Sequence, residues 1–153
     1  MRTRGFEIAK GWEEKNIRLP KRSTAFSAGY DIEAAEDTVI HPFKEEKVPT
    51  LVKTGIKAYM MDDEVLYLYN RSSNPKKKGL VLANSVGVID KDYYGNVDND
   101  GHIMVAFYNV KEEEVHIQKG EKIAQCIFQK YLTVDNDDAT GERTGGFGST
   151  SKN

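Results

Sequence analysis

Asp90 follows the apolar run Gly87-Val88-Ile89, and Tyr93 comes three positions later. A carboxylate behind two β-branched residues is expected to be partly desolvated. In that setting it can take a proton from water and act as a general base. Tyr93 offers a flat ring that could pack against a sugar. Upstream, Asn84-Ser85 separates the apolar stretches Gly79–Ala83 and Val86–Ile89, which are expected to meet as a hairpin. The end of such a hairpin presents N–H and C=O groups in fixed directions. With the Asn84 amide, these groups could read the edge of a hydrogen-bonding heterocycle. The plainer reading is a surface hairpin with a turn aspartate and a core tyrosine.

Arg71-Ser72-Ser73 precedes Asn74-Pro75 and a lysine run that ends at Gly79. Asn74 suits an N-cap, Pro75 the first helical position and Gly79 the exit, so one short helix is predicted here. Its N–H groups, two hydroxyls and a guanidinium would suit a phosphate; a capped surface turn is the plainer alternative. Asp31 lies between Tyr30 and Ile32 at the start of an expected strand, facing either a site or solvent. Gln125 is the polar residue inside the apolar run Ile123–Phe128 and is either solvent-facing or a phosphate donor. The tail from Ala139 to Asn153 has the composition of a disordered end, yet it carries Arg143, Phe147, Gly148, Ser149 and Thr150. Glycine backbone, hydroxyls and a guanidinium can cradle phosphate, and Phe147 could cover a base.

Other chemistries fit poorly. Asn96, Asp98, Asp100 and Gly101 imitate the start of a calcium loop, but Phe107 stands where a bidentate glutamate is needed. The three histidines are scattered and Cys126 is the only cysteine, so there is no zinc spacing and no internal disulfide. Cys126 sits in an apolar strand, where a thiol stays protonated.

The elements that must position these residues read mostly as short strands. Val65–Tyr69, Gly79–Ala83, Val86–Ile89, Ile103–Tyr108, Val115–Ile117 and Ile123–Phe128 alternate with turn signals at Tyr94–Asn96, Asp98–Gly101 and Lys119-Gly120. That pattern predicts an all-β sandwich, jelly roll or barrel in one domain of 153 residues. A net charge of −2 gives no reason to expect nucleic acid or an anionic membrane as partner. No apolar stretch has the length of a signal sequence or a membrane span, so a cytoplasmic protein is expected.

Taken in order, five segments resemble the trimeric dUTP diphosphatase (dUTPase) family: Ala28–Asp31, Arg71–Ser73, Asn84–Gly95, Gly120–Gln125 and Arg143–Thr150. The resemblance implies an all-β, jelly-roll-like (β-clip) fold with one short helix, assembled as a homotrimer with shared active sites. It implies a domain over 1–138 and a C-terminal lid over 139–153. The implied reaction is Mg²⁺-dependent hydrolysis of dUTP to dUMP and pyrophosphate, which limits uracil in DNA and supplies dUMP for dTMP synthesis. Asp90 would activate the attacking water, and Asp31 would hold Mg²⁺ through water. Arg71, Ser72, Ser73 and Gln125 would bind phosphate. Asn84 with the backbone of Gly87, Val88 and Ile89 would read uracil, with Tyr93 under the deoxyribose. Phe147 of a neighbouring subunit would cover uracil, with Arg143, Gly148, Ser149 and Thr150 near the phosphates. Departures from the family pattern are Lys122 for an arginine, Arg143 one residue closer to Phe147, Tyr94 at a position often basic, extra length at Asp98–Gly101, and Ser151 for a glycine. The competing readings are a deaminase on a related fold and a nucleotide-gated protein whose lid controls a regulatory protein partner.

Overall fold

A computed structural model describes residues 2–146. Twelve short strands dominate it: β1 (Gly5–Ile8), β2 (Lys21–Arg22), β3 (Tyr30–Glu33), β4 (Thr38–Ile40), β5 (Thr50–Lys53), β6 (Ile56–Tyr59), β7 (Glu64–Asn70), β8 (Leu80–Leu82), β9 (Gly87–Ile89), β10 (Met104–Asn109), β11 (Val115–Ile117) and β12 (Lys122–Lys130). All six strands expected from Val65 onward are present. Of the strands before it, only the one carrying Asp31 was foreseen. The others have two to four residues and are often half-exposed, so alternation has little length over which to show.

The largest sheet runs in the order β2-β3-β12-β7-β9, and a second runs β5-β10-β8. Ile32, Leu66, Leu68 and Cys126 from the first share one cluster with Val52, Leu80, Val105 and Phe107 from the second. The inner faces of the two sheets therefore pack against each other, as in a sandwich. Two-stranded pairs, β1-β6 and β4-β11, complete the body. β12 is the axis of the large sheet, antiparallel to β3 on one side and β7 on the other. Its Cys126 is buried and its thiol is pushed up by desolvation, which agrees with an inert core cysteine.

Two expectations need correction. β8 and β9 do not form a hairpin: β8 pairs with β10 and β9 with β7. Both strands have apolar residues for the core, but each finds its partner in a different sheet. Asn84-Ser85 is therefore the tip of an arch between layers, with Ser85 in the left-handed region at φ 64°. The short helix exists as a single π-turn, Asn74–Lys78, but Asn74 is not its cap. Ser73 holds the cap position, and Asn74 is buried, donating to Asn70 Oδ1 and Ile123 O at 2.8 Å each. Gly79 closes the turn at φ 65°, as expected. A second helical turn, a 3₁₀ turn over Lys91–Tyr93, directly follows Asp90.

Candidate functional site

β9 is the end strand of the large sheet and pairs only with β7. One backbone edge of Gly87–Ile89 is thus free of the ladder. A cavity of about 70 Å³ opens there, lined by Asn84, Gly87, Val88, Ile89, Asp90 and Tyr93 together with residues of the core and Arg143. The residues of the third motif-bearing segment, scattered over ten positions of sequence, converge on this one cavity. Gly87 is buried against β7, where an added Cβ would lie 3.0 Å from the Leu68 Cβ and 3.8 Å from the Asn84 amide nitrogen.

Tyr93 is buried, and both sides of its hydroxyl are fixed. It donates to His102 O at 2.5 Å and accepts from the Asn99 amide at 2.9 Å. Burial raises its pKa, so it stays a neutral ring. His102 is itself buried and accepts the Gly55 N–H at Nε2 over 2.9 Å, and desolvation lowers its pKa to about 4. The ring of Tyr93 is therefore held by a neutral, hydrogen-bonded scaffold.

Asp90 departs from expectation. Its side chain is 53% exposed rather than partly desolvated, because it leaves the end of β9 before the 3₁₀ turn. Its partner is Arg143, whose Nη2 reaches Asp90 Oδ2 at 2.7 Å while Nε reaches Asp92 Oδ1 at 2.8 Å. Asp92 was not singled out by the sequence reading. Arg143 is thus held beside the small cavity and not beside Arg71–Ser73. Phe147, Gly148, Ser149 and Thr150 lie outside the described residues.

The remaining candidates gather elsewhere. Asp31 and Gln125 are cross-strand partners between β3 and β12. Gly29 makes room for Gln125: a Cβ there would meet Gln125 Oε1 at 2.3 Å. Gln125 donates to Asn70 O at 3.2 Å, and Arg71 donates to Lys122 O at 3.2 Å, so the second and fourth segments touch. Ser72 is exposed and Ser73 half-buried at the start of the π-turn. Asp31 Oδ2 accepts from the Ser23 hydroxyl at 2.6 Å and lies 3.5 Å from Lys122 Nζ, the lysine that replaces the family's arginine. A groove of about 570 Å³ runs beside Asp31, lined also by Lys21, Arg22, Ser23 and Lys122. It shares no lining residue with the cavity at β9. In the sheet order, β3 is three strands from β9, about 14 Å at the usual spacing.

Among the described residues, no group of three or more His, Cys, Asp or Glu side chains gathers to hold a metal. Asp31 offers one carboxylate, a hard oxygen donor. That donor set fits Mg²⁺ bound chiefly by water and substrate oxygens, and does not fit a dedicated protein cage.

The fold and this edge define an all-β sandwich with a polar-rimmed cavity at a free strand. Comparison with known proteins gives that class its family. The dUTPase family model matches residues 15–151. The deoxyuridine 5'-triphosphate nucleotidohydrolase of Lactococcus lactis subsp. lactis is 55% identical over 152 residues, covering 98% of this chain and 99% of its own. The crystal structure of dUTPase from Streptococcus mutans shares 49% identity at a TM-score of 0.79, covering 86% of this chain and 99% of that one. A mutant dUTPase from phage phi11 of S. aureus, whose structure describes coordination of a structural Mg(II) ion, shares the fold at a TM-score of 0.69 and 22% identity, covering 92% of this chain and 98% of that one. The chain belongs to the dUTPase family.

Proposed function

We propose that this protein hydrolyses dUTP to dUMP and pyrophosphate, with Asp90 as the base for the attacking water. The observation that carries this reading is the convergence of Asn84, Gly87–Ile89, Asp90 and Tyr93 on one cavity at the open edge of β9. The free backbone groups of that edge and the Asn84 amide pair with uracil. Cytosine presents a donor where uracil has an acceptor, which would leave a buried group unpaired. Thymine carries one methyl more than uracil, which a close-fitting strand edge would exclude sterically. Tyr93 packs beneath deoxyribose and excludes a 2'-hydroxyl. Asp90 orients a water and takes its proton as the water attacks the α-phosphorus and pyrophosphate leaves. Such a reaction rests on alignment and charge stabilisation.

Arg71, Ser72, Ser73 and Gln125 bind the phosphates. Asp31 would hold Mg²⁺ through water, and the ion when bound neutralises phosphate charge. The three-strand separation of Asp31 from β9, and the lack of a shared cavity, support a site completed by other copies in a homotrimer. Residues 1–138 would be the body and 139–153 the lid, with Phe147 over the base and Arg143, Gly148, Ser149 and Thr150 at the closed site. No helix of the described residues is long and apolar enough to cross a membrane, and a cytoplasmic location suits a nucleotide substrate.

The test is pyrophosphate release from dUTP, dTTP, dCTP and UTP, with and without Mg²⁺, on the wild type and Asp90→Asn. The wild type should act on dUTP alone among the four. Asp90→Asn should lose about a hundredfold or more in turnover, as expected for a general base, while still binding dUTP. Equal release from all four nucleotides, or normal turnover by Asp90→Asn, would contradict the reading.

A further inference from the structure

Two of the chain's departures from the family pattern, Tyr94 and the extra length at Asp98–Gly101, are tied to one pair of strands. β1 and β6 are antiparallel, with Glu7 opposite Lys57. The Tyr94 hydroxyl donates to Glu7 Oε1 at 2.5 Å, and Arg2 bonds the other carboxylate oxygen. The Tyr94 hydroxyl, with help from Arg2, holds Glu7 below the usual carboxylate range, so Glu7 is an ionised acceptor. Lys57 lies over the Tyr94 ring, 4.8 Å from its centroid, and pairs with Asp100 at 2.6 Å. Asp100 Oδ2 also accepts the Lys10 N–H at 2.9 Å. The side chains of Lys57 and Asp100 are 14% and 25% exposed, so solvent screens this pair little.

Asp100 makes these contacts from a backbone at φ 63°, in the left-handed region that glycine enters freely and most L residues avoid. Gly101 follows, and a Cβ there would lie 2.8 Å from Tyr94 Cα and 2.9 Å from Tyr93 O. The loop therefore lies directly against the Tyr93-Tyr94 backbone. The same loop fixes the Tyr93 ring, since Asn99 donates to its hydroxyl and His102 O accepts from it. Tyr93 is thus held by the loop, and the loop is held by β1, β6 and the Lys10 backbone.

We propose that Glu7, Lys57, Tyr94 and Asp100 form a brace that positions Tyr93 and so sets how strictly the site excludes ribonucleotides. The four are positioning residues: they contact the turn and loop that carry Tyr93, and none lines the cavity at β9. Pinning the loop denies the Tyr93 ring the retreat that a 2'-hydroxyl would need. This proposal rests on the reading of Tyr93 as the surface beneath deoxyribose.

The test compares turnover of dUTP and UTP, beside hydrogen exchange at the Gly95 and His102 amides, which bond to Asp100 O and Asn99 O within the loop. Asp100→Gly removes the carboxylate and suits the left-handed backbone, so the chain keeps its path. Combined with Tyr94→Phe, it should speed exchange at both amides about tenfold, the scale of one hydrogen bond to a charged group, and lower the dUTP-over-UTP ratio of kcat/KM by a similar factor. Most of the change in ratio should come from faster turnover of UTP, a gain that general destabilisation does not produce. Asp100→Asn tolerates the same backbone and keeps an acceptor oxygen, so it should retain most of both properties. Unchanged exchange, or an unchanged ratio, in the double variant would overturn the brace. A wild-type ratio in Tyr93→Leu would instead sink the reading of Tyr93 itself, and exchange alone would then decide whether the four residues hold the loop.

Discussion

At the scale of single residues, the polar groups around Tyr93 divide into those a sequence displays and those it hides. Asp90 and Tyr93 were legible because a carboxylate and an aromatic ring after an apolar strand form a local pattern. His102 was not, since its partners lie 47 positions away at Gly55 and along its own carbonyl at Tyr93. It read as one of three scattered histidines. In the fold it is a neutral acceptor whose pKa desolvation lowers to about 4. An unfolded histidine takes its proton near about pH 6.5. The depressed folded value means that His102 contributes its full stability above about pH 6.5. That contribution is lost as pH falls from there toward about 4, because the unfolded chain binds the proton first. Between about pH 7 and about pH 4.5, the wild type should lose more of its thermal midpoint than His102→Gln, which keeps an acceptor without a titrating ring. Identical acid sensitivity in the two proteins would remove His102 from this account. Arg143 makes the same point from the other side. Its residue type pointed to phosphate, but only the fold reveals Asp90 and Asp92 as its partners.

At the scale of elements, strand positions after Val65 could be read from runs of β-branched and aromatic residues, whereas pairing could not. The apolar content of Leu80–Leu82 and Gly87–Ile89 is the same whether the strands join each other or two different sheets. The choice is made by β7 and β10, which are remote in sequence. Gly29 shows a related blindness. Two residues before Asp31, it was not singled out in the sequence, but its role is to leave space for a side chain on β12. In Gly29→Ala the new methyl would overlap Gln125 Oε1, so Gln125 must leave its place between β3 and β7. The expected result is a KM for dUTP raised about tenfold, the scale of one lost charge-assisted hydrogen bond, with little change in melting temperature. An unchanged KM would show that Gln125 does not need that position.

At the scale of the whole molecule, the sheet order sets apart residues that the proposed reaction would bring together. Asp31 and Gln125 lie on β3 and β12, and Asp90 follows the far edge strand. If each site draws on more than one copy, chains carrying Asp31→Asn and chains carrying Asp90→Asn should complement each other. Co-expressed, they should assemble mixed trimers with roughly a quarter of the wild-type sites intact, while each variant alone stays inactive. No recovery on mixing would place every site within a single chain. No periodicity in the sequence discloses this, because assembly depends on surfaces that only the folded sheets create. The open edge of β9 has a consequence of a different kind. A ligand read by main-chain groups is read by features every amino acid carries, so substitutions at Val88, whose side chain is 60% exposed, leave the reading groups in place. If the proposed reading holds, base choice rests on strand register together with the Asn84 amide, much as pairing rests on register in a nucleic-acid duplex. Redirecting it to another base would then call for sliding a strand as well as exchanging a side chain.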